Sequence, residues 1–119
     1  LRDLTRGGLA SALQELAVAR GVELAIEEDR IPVAGPVART CELLGFEPLH
    51  LANEGRFVAV LPEADVARAL EVLEPLGGAR IGTVREPGSE GAARVLLRTA
   101  YGSERVLVPL SGELLPRIC

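Results

Sequence analysis

The feature that most constrains this chain is the way its hydrophobic period switches along the sequence. Val22, Leu24 and Ile26 alternate with Glu23, Ala25 and Glu27, the two-residue period of a half-buried strand. Pro36 to Leu44 then carries Val37, Cys41 and Leu44 at helical spacing and stops at Gly45. Leu49 to Ala52 and Arg56 to Leu61 read as two short strands joined by a tight hairpin at Asn53, Glu54 and Gly55, where residues tolerant of positive φ are expected. Pro62 opens a helix to about Leu76, ended by Gly77 and Gly78, and Ala79 to Arg85 follows as a strand.

From Val22 the order is therefore strand, helix, strand, strand, helix, strand. That is the split βαβ, ferredoxin-like signature. Ahead of it, Gly8 to Arg20 places Leu9, Leu13, Leu16 and Ala17 on one helical face, with Thr5 as the expected N-cap and Gly21 as the stop. Beyond it, Glu86 to Gly91 reads as a flexible loop, and Ala93 to Thr99 pairs with Arg105 to Val108 across Tyr101 and Gly102. The predicted fold is α+β: a mixed β-sheet with packed helices, a ferredoxin-like βαββαβ core and a closing C-terminal hairpin. Cys41 belongs to the core of this arrangement.

Composition narrows the function. A chain of 119 residues with 48% hydrophobic content builds one domain and no second core. Net charge of -4, one tyrosine and two phenylalanines argue against a nucleic-acid surface. All basic residues are arginine, so the chain itself supplies neither a P-loop lysine nor a Schiff-base lysine. Two cysteines and one histidine make neither a disulfide framework nor a metal cluster, which points to a reducing, cytoplasmic setting. No apolar run approaches the roughly 20 residues that span a bilayer, and no signal peptide is evident. The chain opens at Leu1 and is already close to a helix entry by Asp3 and Thr5. We expect one domain of a longer protein.

Three places could carry chemistry. Thr5, Arg6, Gly7 and Gly8 put a hydroxyl, a guanidinium and two glycines at a helix N-terminus, where free amides attract anions. The same residues also suit a plain N-cap followed by a close turn. Glu54 in its turn could act as a general base, or be an ordinary exposed turn residue beside Asn53 and Gly55. His50 reads as a packed or surface residue. Cys119 ends the chain after Pro116, Arg117 and Ile118. It is either incidental or a nucleophile with the access and reach that a chain end provides.

Taken together, Asp3-Leu4-Thr5-Arg6-Gly7-Gly8, Ala52-Asn53-Glu54-Gly55 and Pro116-Arg117-Ile118-Cys119 resemble the C-terminal domain of the HypE family of hydrogenase-maturation proteins. That family lies within the aminoimidazole ribonucleotide synthetase (PurM) superfamily. The resemblance runs end to end, and the terminal Pro-Arg-Ile-Cys is its most specific part. It implies an ATP-dependent carbamoyl dehydratase of [NiFe] hydrogenase maturation, acting on its own terminal thiol. A carbamoyltransferase, HypF, loads Cys119; dehydration leaves a thiocyanate; the cyanide passes to iron on a scaffold of HypC and HypD.

On this resemblance Cys119 is the carrier, Glu54 the base, and Thr5, Arg6, Gly7 and Gly8 line the phosphate side of ATP. Residues 1–110 are then the domain and 111–119 a flexible tail. An N-terminal domain outside this chain would supply most ATP and Mg2+ ligands and much of a homodimer interface. The chain alone is expected to fold without binding ATP tightly or dehydrating a carbamoyl group. Two other readings stay open: a non-catalytic ferredoxin-like module that binds a ligand or partner, and another PurM-superfamily synthetase, related to the selenophosphate or purine enzymes, that does not use the tail.

Overall fold

A computed structural model describes residues 1–88 and 91–109. The element order is β1 (Arg2–Leu4), α1 (Gly8–Arg20), β2 (Glu23–Glu27), α2 (Gly35–Leu44), a 3-10 turn at Pro48–His50, β3 (Asn53–Val58), α3 (Glu63–Leu73), β4 (Gly82–Arg85), β5 (Arg94–Arg98) and β6 (Glu104–Val106). The strands form two ladders. One is a mixed four-stranded sheet in the order β4-β2-β5-β6, in which β2 and β5 run parallel and the other neighbours antiparallel. The other joins β1 to β3, antiparallel.

The α+β class, the mixed sheet and the closing β5–β6 hairpin are as the sequence predicts. The expected hairpin over 49–61 is not formed. Pro48 fixes a backbone angle suited to a 3-10 turn, and Asn53, Glu54 and Gly55 lie inside β3 instead of at a hairpin tip. The partner of β3 is β1, about fifty residues upstream, and β2 takes β5 as its parallel neighbour. The helix expected to run to Leu76 is α-helical only to Leu73. It tightens into a 3-10 turn at Glu74–Leu76, where Pro75 has no N–H to give to an α-helical bond.

One helix holds the two ladders together. The alanine- and leucine-rich α1 buries Leu9, Ala10, Ala12, Leu13 and Ala17. These meet Leu24, Ile26, Val95 and Leu97 from the four-stranded sheet, Leu107 just past the end of β6, and Leu4, Leu49 and Val58 from the other side, in a single core. Leu13, Leu97, Leu107 and Val95 are its largest fully buried side chains, each contributing about 1.5–3 kcal/mol by removal from water. The alternation read along Val22–Glu27 holds for Leu24 and Ile26. Glu23 is also buried, at 6% exposure, because Arg94 on the adjacent strand meets its carboxylate at 2.8 Å. Cys41 is buried, as expected of a core residue.

Candidate functional site at the β1–β3 ladder

The register of the small ladder builds the site. Arg2 faces Val58 and Asp3 faces Phe57, but the next residue, Leu4, faces Asn53. Glu54, Gly55 and Arg56 are thus the surplus of β3, pushed out as a bulge, a device that commonly re-aims side chains. Gly55 has φ +73, the left-handed conformation in which a side chain is strained. The tolerance for positive φ read in this segment is therefore real. It serves a bulge, not a hairpin tip.

The bulge carries Glu54 to the segment that follows β1. Thr5 Oγ1 donates to Glu54 Oε2 at 3.3 Å, across 49 residues of sequence. Thr5 is not the N-cap of α1: that place is held by Gly7 at φ +64, and no side-chain hydrogen bond caps the helix. Thr5 lies in the turn between β1 and α1 with its hydroxyl turned to Glu54, and the helix begins three residues later. Gly8 has φ +61 and lies directly on the 3-10 turn, where a Cβ would fall 2.6 Å from the carbonyl oxygen of Leu49 and 2.5 Å from that of Leu51. Close approach of backbone to backbone therefore seats the start of α1 against the chain that leads into β3.

Arg2, Asp3, Thr5 and Arg6 line a shallow cleft of about 270 Å³ beside this contact. Arg2 is tied down by Glu15 at 2.7 Å and Asp3 at 3.6 Å, and the hydrogen bond and charge of Glu15 raise its affinity for the proton further. Arg6 is exposed, and among the described residues no acid neutralises it. It is the cation free to meet an anion. Sequence reading did not single out Arg2 and Asp3 for the cleft; their signal is a charged pair separated from Thr5 by Leu4. His50 lies apart from this chemistry: its Nε2 is 3.5 Å from Glu47, which also contacts Arg105, and its side chain is 8% exposed. It is a packed residue. A larger depression of about 450 Å³ along Ser11, Gln14, Val18 and Pro109 contains none of the candidate residues.

The structure thus brings Thr5, Arg6, Gly7, Gly8 and Glu54 to one place, although two distant segments supply them. Cys119 lies outside the described residues. Among the described residues no group of three or more His, Cys, Asp or Glu side chains is disposed to hold a metal ion. No helix there is long and apolar enough to cross a membrane.

Residues 1–94, which contain this entire site, match the family described as AIR synthase related protein, C-terminal domain. The chain belongs to that family. This AIR synthase related domain is 50% identical, over 99% of its length, to the carbamoyl dehydratase HypE of Rhodobacter capsulatus, of which it covers 35%. It superimposes on a crystal structure of the hydrogenase maturation protein HypE in complex with ATP with a TM-score of 0.90 and 42% identity, covering 99% of this chain and 37% of that one. Against a crystal structure of a HypE–HypF complex the TM-score is 0.83 at 34% identity, covering 92% of this chain and 35% of that one. The chain spans about a third of the length of the relatives it matches. The likeness over its whole length agrees with the resemblance carried by its three short motifs.

Proposed function

We propose that this domain is the C-terminal part of an ATP-dependent carbamoyl dehydratase of [NiFe] hydrogenase maturation, with Cys119 as the carrier thiol. The observation that carries the reading is the junction of Thr5 with Glu54, which brings a carboxylate from a distant strand to the segment just ahead of α1. Likeness over almost the whole chain to a carbamoyl dehydratase and to a HypE solved with ATP supports it.

The cleft suits the phosphate end of ATP. Arg6 supplies a free positive charge on its wall, and α1 begins directly beyond, at Gly7 and Gly8. ATP supplies the phosphoryl group that makes the carbamoyl oxygen a leaving group. Cys119 Sγ keeps its bond to the carbonyl carbon throughout. Glu54 accepts one N–H proton of the carbamoyl group. Breaking the C–O bond, with the second N–H proton leaving on the departing phosphate, gives an S-bound nitrile; ADP is the other product. Glu54 sits on an exposed bulge, so a carrier thiol needs no opening of the core to meet it.

The further assignments follow from the same reading. HypF is the carbamoyl donor, supported by the solved complex of a related HypE with HypF. HypC and HypD hold the iron that accepts cyanide, the whole protein is a cytoplasmic homodimer, and Mg2+ accompanies ATP on ligands outside this chain. The test is mass spectrometry of the full-length protein incubated with its carbamoyltransferase, carbamoyl phosphate and ATP. An adduct on Cys119 that is lost in Cys119→Ala is expected, with Glu54→Gln retaining the carbamoyl adduct and forming no thiocyanate. An unmodified Cys119 refutes the carrier role, and a normal rate of thiocyanate formation in Glu54→Gln moves the base elsewhere.

A further inference from the structure

Thr5 lies between two possible duties, and its chemistry lets it perform only one at a time. A threonine hydroxyl has a single proton to donate. Here that proton goes to Glu54 Oε2. A phosphate oxygen is likewise an acceptor and would compete for it, whereas Arg6 and the amides ahead of α1 are donors that Glu54 does not engage among the described residues. We propose that Thr5 is a positioning residue for Glu54 and not a phosphate ligand; this rests on the reading of Glu54 as the base.

The surroundings of the pair favour that assignment. Thr5 directly follows Leu4, which is buried and paired with Asn53, so its backbone is fixed by the core. Glu54 is on the surplus residues of a bulge, exposed and otherwise free to sample rotamers, an entropy that must be lost before it can meet a substrate proton. A single tether from a rigid strand end to a mobile carboxylate removes that freedom. It binds Oε2 and leaves Oε1 open to take a proton. The 3.3 Å separation is longer than the usual hydroxyl–carboxylate hydrogen bond, as catalytic contacts commonly are before substrate binds.

The experiment uses full-length protein with Cys119 already carbamoylated, and measures two quantities on Thr5→Val and Thr5→Ser: the single-turnover rate of thiocyanate formation and the equilibrium affinity for ATP. Thr5→Val is expected to slow thiocyanate formation by about tenfold, the usual consequence of losing one hydrogen bond to a charged group. Its ATP affinity should equal that of the unmutated protein, and Thr5→Ser should restore the rate. A tenfold loss of ATP affinity in Thr5→Val would make Thr5 a phosphate ligand and overturn the proposal. An unchanged rate in Thr5→Val overturns it as well, as does a slow Thr5→Ser. Failure of the unmutated protein to form thiocyanate is scored separately, and it overturns both the proposed activity and the role of Thr5.

Discussion

Replacing Gly8 by alanine is the sharpest probe of how the site is held. Two costs combine there. An L-residue at φ +61 is in the left-handed region, which costs about 1–2 kcal/mol. The added Cβ would also stand 2.5 Å from the carbonyl oxygen of Leu51, 2.6 Å from that of Leu49 and 2.9 Å from the carbonyl carbon of His50. All three are backbone atoms, so no side chain can turn aside. The start of α1 and the 3-10 turn must separate by roughly 1 Å before ordinary contact is restored, and such overpacking costs about 1–3 kcal/mol. The sum is about 2–5 kcal/mol.

Gly21 provides the control, since it has nearly the same angle, φ +62, with nothing within 4 Å of its Cβ position. Gly21→Ala should lose only the conformational part, about 1–2 kcal/mol. Urea denaturation of both variants, with unchanged dependence on urea concentration, gives the two values directly. If Gly8→Ala costs no more than Gly21→Ala, the close seating of α1 on Leu49–Leu51 is not what holds these segments together.

Three further substitutions test the packing with the same measurement. Leu97→Ala, at a fully buried position facing α1, should cost about 2–5 kcal/mol through lost burial and the cavity left behind. Glu23→Ala removes a buried carboxylate from Arg94, which is itself about a third exposed, and should cost about 2 kcal/mol, less than for a wholly buried pair. Glu63→Ala breaks a two-pronged contact with Arg80 at 2.6 and 2.9 Å, yet Glu63 is 76% exposed, so the loss should stay below about 1 kcal/mol and shrink with added salt.

What could be read from the sequence depended on how local its cause was. The helix over Gly8–Arg20, the strand at Glu23–Glu27 and the β5–β6 hairpin are written in periods and stops within a few residues, and they form nearly where expected. The Asn53-Glu54-Gly55 segment is different. A glycine at positive φ between two apolar runs suits a hairpin and a bulge equally well, and only the position of β1 decides between them. Likewise Thr5 has the side chain of an N-cap, but the helix takes Gly7 in that place, and the partner of the Thr5 hydroxyl, Glu54, lies 49 residues away. The residues of the candidate site could be picked out one segment at a time. Their meeting could not, because it depends on a long-range register. Buried Glu23 was hidden for a related reason: alternation places it with the polar residues, and its burial follows from Arg94 on a strand that is remote in sequence.

The division into two ladders has a mechanical consequence. Among the described residues their strands exchange no backbone hydrogen bonds; the two ladders meet in one apolar core around α1, and Arg2 of β1 is also held to Glu15 of α1 at 2.7 Å. The ladder bearing Glu54 therefore takes its position from α1, through the Arg2–Glu15 pair and the close seat of Gly8, and not from the register of the four-stranded sheet. The domain mounts its carboxylate on a helix.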